Sequence, residues 1–358
     1  MDTKTTERAR REILRLCHAG LDSRALRLAI LKEMRKVTPI DSFWCATTDP
    51  ATLLFTGSVI EGIPAHATPA LLANEFLRND ANKFVALARS DTPVNNLHRA
   101  TGGNLEQSER YREILVPLGL GDELRAALLS DGVCWGVMCL HRQRNDPSFG
   151  PEDLAFIRQI VPHLAEGLRT ALLLDRAEIV RGADSPGLLL LADDFTVIAT
   201  TAAADGWLAE IGDWPRRDEA PQAVRAVAAR LWELERTGAP ELGLMPRVRI
   251  RTRAGRWAVL HAARLSGRGA DGATAVIVEQ ASPTEVAPLV LQAYELTERE
   301  TRVAQLVLQG LSTNENVAEL CISALTVQDH LKAVFEKTGV NNRRSLVAQV
   351  FAQQYKSR

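Results

Sequence analysis

Residues 296–343, LTERETRVAQLVLQGLSTNENVAELCISALTVQDHLKAVFEKTGVNNR, mark three helix starts in succession. Thr297 stands three residues before Glu300, and Ser312 three before Glu315. At that spacing the hydroxyl accepts from an amide in the first turn while the carboxylate reaches back to the cap, so each pair predicts a helix N-terminus. The first helix carries Val303, Leu306 and Val307 inward and stops at Gly310, a residue type suited to ending helices. The second ends near Leu320. After Cys321-Ile322, Ser323 caps a third helix that reaches Lys337 and stops at Gly339, and a last helix follows Asn341-Asn342. The tight turn between the second and third helices predicts an all-α helix-turn-helix unit.

At about 100° per residue, Val327, Leu331 and Val334 fall on one face of the third helix, with Phe335 at its margin. Leu325, Gln328, Asp329, Lys332 and Glu336 fall on the other. A row of Gln, Asp and Lys has the donors and acceptors that base edges in a major groove require, and it equally suits a helix face that meets only water.

The segment resembles the LuxR-type DNA-binding domain through Leu296-Thr297-x-Arg299-Glu300, Gly310-Leu311-Ser312, Ile322-Ser323-x-x-Thr326-Val327-x-x-His330-Leu331 and Phe335-x-Lys337-x-Gly339-Val340-x-x-Arg343. The resemblance implies that the third helix enters the major groove of double-stranded DNA. It assigns base reading to Gln328, Asp329 and Lys332, phosphate contact to Thr326, Lys337 and Arg343, and packing to His330. It also implies a homodimer with contacts on the last helix around Leu346, Val350 and Phe351, and RNA polymerase as a further candidate partner. Two departures stand out. The family's Glu-Ile-Ala reads Glu315-Asn316-Val317, which puts an amide at a packing position, and Leu325 stands where a polar or basic residue is common.

Toward the N-terminus the periodicity changes. Ile13, Leu14, Leu21, Leu26, Ile30 and Met34 predict two helices across 6–36, and strand-like runs follow at Phe43–Ala46 and Leu53–Val59. A helix is expected over 69–89. Leu124–Leu129 and Val133–His141 flank Ser130-Asp131-Gly132, a hairpin whose turn Asp-Gly supplies. Pro151–Leu174 reads as a long helix. With its flanking helices, early strands, hairpin and closing helix, this segment resembles a GAF-like sensory domain, an α+β fold, while Arg110-Tyr111-Arg112-Glu113-Ile114, Gly121-Asp122-Glu123-Leu124-Arg125, Cys134-Trp135-Gly136 and Leu140-His141-Arg142 resemble the sensor half of actinobacterial LuxR-type regulators. Trp44, Phe55, Trp135 and Met138 are candidates to line a sensor pocket, and they suit plain core equally well. The fold does not name a ligand. No cofactor or metal is expected, and His66 and His141 lack any motif that supports a haem ligand.

After Gly182–Pro186, read as a linker, Gly187-Leu188-Leu189-Leu190-Leu191-Ala192-Asp193-Asp194 and three strand candidates (Arg247–Thr252, Trp257–Leu265, Thr274–Glu279) resemble an α+β PAS-like domain. Helices are expected near 202–210 and 221–236, and Ser282–Pro288 reads as a second linker. A phosphoacceptor receiver competes through Asp193-Asp194, but Glu241 stands at the wrong offset and no lysine occurs between 84 and 331. The same lysine gap removes a P-loop, and no Gly-x-Ser-x-Gly or His-Glu-x-x-His occurs, so no enzyme is expected. Arg247, Arg249, Arg251 and Arg253 share one face of a strand, which is expected to be solvated; an acidic partner surface or an anionic ligand is the other reading.

Composition bounds the rest. Forty-three Lys+Arg against forty-four Asp+Glu exclude polybasic DNA binding, so any nucleic-acid contact is local. The apolar runs fall far short of the roughly 20 residues that cross a bilayer. No signal peptide is seen, and the five cysteines form no Cys-x-x-Cys pair, so a cytoplasmic protein without membrane contact is expected. Cys45, Cys134 and Cys139 read as small buried hydrophobes. The chain is thus expected to be multidomain: a GAF-like domain over 1–182, a PAS-like domain over 183–283 and a helix-turn-helix domain over 284–358. The function expected is one-component transcription regulation. The alternative is a ligand- or partner-binding signalling protein whose helix-turn-helix no longer binds DNA specifically.

Overall fold

A computed structural model of the chain describes residues 3–174, 185–211, 220–238, 245–266 and 272–355. The first linker lies mostly outside these residues, as does Glu241.

The first unit comprises α1 (Thr3–Cys17), α2 (Ser23–Met34), β1 (Ser42–Thr48), β2 (Phe55–Glu61), α3 (Thr68–Leu77), α4 (Phe84–Ala88), β3 (Val94–Asn96), α5 (Leu97–Ala100), β4 (Leu120–Ser130), β5 (Val133–Gln143) and α6 (Pro151–Leu174). Its antiparallel sheet runs β2-β1-β5-β4-β3. The β4–β5 hairpin turns at Asp131 and Gly132, both at positive φ, which matches the right-handed twist of the strands. Period-two alternation then gives each strand two buried faces. Phe43, Cys45, Leu124, Ala126, Met138 and Leu140 meet α6, where Ile157, Ile160 and Leu164 recur at helical spacing. Ala46, Ala127, Val137 and Cys139 face the other way, toward α3 and α4.

The helix expected over 69–89 is two helices. The chain breaks between them with Asn82 at φ 57°, and the break lets Asp80 accept from the backbone amide of Arg110 at 2.7 Å and from Asn74 Nδ2 at 2.9 Å.

The second unit comprises β6 (Gly187–Leu191), β7 (Val197–Thr200), α7 (Ala202–Ile211), α8 (Gln222–Thr237), β8 (Arg247–Arg251), β9 (Trp257–Arg264) and β10 (Thr274–Gln280). Its sheet, β7-β6-β10-β9-β8, repeats the order of the first. Helix α8 is amphipathic on two sides. Ala223, Val224 and Val227 join a single core that includes Leu189, Leu260 and Val276 of the second sheet and Phe55, Leu72 and Phe76 of the first unit.

The arginine stripe is not a solvated face. On β8, Arg249 pairs with Asp49 of the first unit at 2.6 Å and donates to the Glu285 carbonyl at 2.9 Å. Arg251 donates to the Leu172 carbonyl at the end of α6 at 2.8 Å, and Arg247 pairs with the Glu285 carboxylate. Arg253 lies beyond the strand and is exposed. Three guanidiniums follow the two-residue period, but what they meet is protein, because tertiary packing brings the first unit and Glu285 against this edge strand.

The second linker is also corrected. Residues 283–291 form a helix, α9 (Pro283–Leu291), opened by a capping box between Ser282 and Glu285. The C-terminal unit follows as α10 (Glu298–Leu308), α11 (Thr313–Leu320), α12 (Ala324–Thr338) and α13 (Arg343–Tyr355). It leans on the first unit through Arg169 of α6, which donates to the Gln292 carbonyl at 2.9 Å and lies 3.5 Å from Glu295. No helix among the described residues is long and apolar enough to cross a membrane.

Candidate functional site

The helix-turn-helix is built by its caps. Thr297 and Glu300 bond reciprocally at 3.3 and 2.8 Å, and Ser312 and Glu315 at 3.3 and 2.7 Å. Cys321 ends α11 in the left-handed region at φ 53°, and Ser323 Oγ then accepts the Thr326 amide at 3.1 Å to start α12. Val327, Leu331 and Val334 are buried against α10 and α11. The opposite face is therefore presented outward. Gln328, Asp329 and Lys332 are exposed there, and their side chains make no hydrogen bond or ion pair among the described residues. Leu325 joins them, 68% exposed. Thr326 is half-buried beside Ser323, its Oγ1 2.8 Å from Ser323 Oγ, and His330 is half-buried.

Two residues expected at phosphates have intramolecular partners in the free chain. Lys337 Nζ bonds the Glu300 carboxylate at 2.7 Å and the Glu295 carbonyl at 3.2 Å. Arg343 donates to the Leu311 carbonyl at 2.7 Å, which pins α13 to the loop ahead of α11. The last helix brings a further correction. Leu346 and Val350, expected at a dimer contact, are buried in the chain's own core with Leu289 and Val290 of α9. The helix covering them, α9, occupies the segment expected as the second linker; the Phe351 side chain lies outside the described residues.

Asn316 is fully buried. Its Nδ2 donates to the Ser312 carbonyl at 2.8 Å and to the Leu311 carbonyl at 3.3 Å, while Oδ1 finds no partner among the described residues. Val317 beside it is only half-buried.

A second candidate site lies in the first unit, where a small cavity of about 40 Å³ opens between the outer face of the sheet, α3 and α4. Trp44 and Phe55 line it, with ring centroids 4.9 Å apart. Trp135 and Met138 do not. Met138 pairs with Cys45 on the face under α6. Trp135 is a bulge: Leu128 faces Gly136 and Leu129 faces Cys134, and the extra residue turns the indole to the α6 side.

The cavity's polar wall was missed from sequence. Glu123, Arg125, Cys139 and His141 line it, and simple alternation along the hairpin puts all four on one face. Charged residues in a strand suggest water; here they are buried because they neutralise one another. Glu123 lies 2.7 Å from Arg110 and 3.0 Å from Arg125, and Arg125 lies 2.7 Å from Glu75. His141 joins Glu123 at 3.3 Å and Ser42 at 3.0 Å. Burial pushes the Glu123 carboxyl up, but the Arg110 and Arg125 charges reverse this and hold it well below the carboxylate range. Donor atoms of Glu123, Cys139 and His141 fall within 4.8 Å of one another. The arrangement disfavours a cation all the same, since two guanidiniums already hold the carboxylate and burial pushes the Cys139 thiol up, keeping it protonated.

Comparison with known proteins gives two family matches. Residues 294–350 match the family described as bacterial regulatory proteins, luxR family, and residues 10–168 match the GAF domain. The spore germination protein GerE of Bacillus subtilis (strain 168) is 38% identical over 55 residues, 15% of this chain and 74% of that protein. Among solved structures, a GAF domain/HD domain protein from Geobacter sulfurreducens is 17% identical, covering 43% of this chain and 97% of its own, with a TM-score of 0.33. The VqsR LBD domain from Pseudomonas aeruginosa is 16% identical, covering 45% and 96%, also with a TM-score of 0.33.

Proposed function

We propose, for a chain that belongs to the luxR family of bacterial regulatory proteins and carries an N-terminal GAF domain, sequence-specific DNA binding under the control of that domain. The observation that carries this reading is the outer face of α12, where Gln328, Asp329 and Lys332 are exposed and unpaired while the inner face is locked into the bundle. An amide can bond one adenine edge through two hydrogen bonds, and Lys332 suits guanine or a phosphate. Leu325 offers an apolar contact of the kind a thymine methyl accepts. Thr326 is the remaining phosphate candidate of the helix, and Lys337 and Arg343 serve mainly to hold the bundle together.

Binding as a homodimer would use the outer side of α13, where Arg344 and Ala348 are exposed, since the inner side is covered by α9. The first unit acts as sensor through the cavity beside Trp44 and Phe55, in a cytoplasmic regulator that is not an enzyme. The domain limits proposed are 1–182, 183–283 and 284–358, with α9 as the connecting element of the third.

The test is a salt-titrated gel shift of the full chain on its own upstream DNA against scrambled DNA. Gln328→Ala should weaken cognate binding by roughly 1–3 kcal/mol and leave scrambled DNA nearly unaffected. Equal losses on both would remove Gln328 from base reading. A wild-type chain that does not distinguish the two DNAs would favour a partner-binding protein without specific DNA recognition.

A further inference from the structure

The cavity in the first unit is closed by a residue of the second. Gln222, the first residue of α8, lines it and is 2% exposed. Both amide atoms, Nε2 and Oε1, lack a hydrogen-bond partner among the described residues. An amide stripped of water with neither group bonded is costly to keep in a fold, unless something else occupies its donor and acceptor.

The other walls narrow what that could be. Trp44, Phe55, Phe84 and Leu72 supply flat and apolar surface. The charged wall is already a paired network: Arg125 stands against Glu123 and Glu75 and Arg110 against Glu123, in contacts of 2.7 to 3.0 Å, with Asp80 3.8 Å from Arg110. An ionic ligand would have to break that balance, whereas an uncharged ring system would not. Gln222 then remains as an uncharged side chain with neither amide atom bonded among the described residues, and a side-chain amide is best matched by a neighbouring donor and acceptor on one edge, the pairing that Gln makes with an adenine edge.

We infer that Gln222 of the second unit completes the sensor site of the first, and that the site takes a small, uncharged, planar heterocycle presenting adjacent N–H and C=O or ring-nitrogen groups. This rests on the cavity being the sensor site, and it adds the reading residue, the ligand class and the coupling. A ligand held by Gln222 bridges the sheet of the first unit and α8, so occupancy tightens the join between the two units. Since α8 also packs on the second sheet, the bound state is transmitted as a preference for one relative placement of the units.

Isothermal titration of the full-length chain with carbostyril, a bicyclic lactam, and with quinoline, a ring of similar size that offers only an acceptor, tests this. The wild-type chain should bind carbostyril at least about tenfold more tightly, the loss expected when one buried partner goes unpaired. Gln222→Leu, similar in size, should bring the two probes within about twofold of each other and should raise the melting temperature of the unliganded chain, because the unpartnered amide is gone. Equal binding of both probes to the wild-type chain would overturn the ligand class. A preference that survives Gln222→Leu would overturn the role of Gln222. If neither probe binds, the reading of the cavity as a ligand site fails as well, irrespective of what the chain does with DNA.

Discussion

Asp49, in the turn after β1, holds Arg249 of β8 by three contacts: Oδ1 lies 2.6 Å from Nη2, and Oδ2 accepts from Nε at 3.0 Å and from the backbone amide at 2.7 Å. Two residues separated by 200 positions thus join the first unit to the second, and the same guanidinium reaches α9 through the Glu285 carbonyl.

Removing one side of this clasp leaves a largely buried charge uncompensated. Asp49→Ala should lower the stability of the full chain by about 3 kcal/mol, read from the urea midpoint. The double variant with Arg249→Ala should lose less than the sum of the two single changes, since both delete one pair. Strict additivity would show that the pair contributes nothing to joining the units.

Asn316 places an amide in the helix-turn-helix core with one atom satisfied and one not. The carbonyls it bonds have other partners: Leu311 accepts from Arg343, and Ser312 from the Asn316 backbone amide. Asn316→Ile therefore removes an unpaired Oδ1 without orphaning a carbonyl, and should raise stability by about 1 kcal/mol. Because Val317 is only half-buried, no compensating Val317→Ala should be needed. A fall in the denaturation midpoint would mean that the two Nδ2 hydrogen bonds outweigh the orphaned oxygen.

The two lysines near α12 should separate by salt dependence. Lys332 is unpaired, so Lys332→Ala should make the slope of log affinity against log salt shallower by about 0.9 if it meets a phosphate, and leave the slope unchanged if it reads a base alone. Lys337 holds Glu300, so Lys337→Ala should keep the wild-type slope and lower stability by less than about 1 kcal/mol, its ammonium being partly solvated. A shallower slope for Lys337→Ala would return that residue to the phosphate set.

Glu300 sets an acid limit on the C-terminal unit. Burial pushes its carboxyl up, but the Lys337 ammonium and the Thr297 amide more than offset this and hold it below its ordinary 4.5. A carboxyl lowered in the folded state contributes stability above its unfolded value, and that contribution is lost as pH falls through the folded value. The chain should therefore lose stability below about pH 4.5 in part through this group. Glu300→Gln, which can still form the capping box, should flatten that part of the acid limb in helix content against pH. An unchanged limb would place the acid sensitivity elsewhere.

The sequence by itself determined the helices of the C-terminal unit, the β4–β5 hairpin and the outward row of α12, because each depends on local chemistry. A hydroxyl three residues before a glutamate, Asp-Gly in a turn, and apolar residues at fixed periods act within a few residues of one another. Tertiary structure decided what each face meets. The period-two stripe of Arg247, Arg249 and Arg251 was legible, but whether it met water or the first unit depended on Asp49, distant in sequence. One bulged residue, Trp135, reversed the face of its own side chain. Glu123 and Arg125 look like surface residues until Arg110 and Glu75 arrive from other elements to neutralise them, and Gln222 joins the cavity only because α8 docks across the unit boundary. Burial of charge and closure of a cavity depend on partners brought together by the whole fold, which no local spacing encodes.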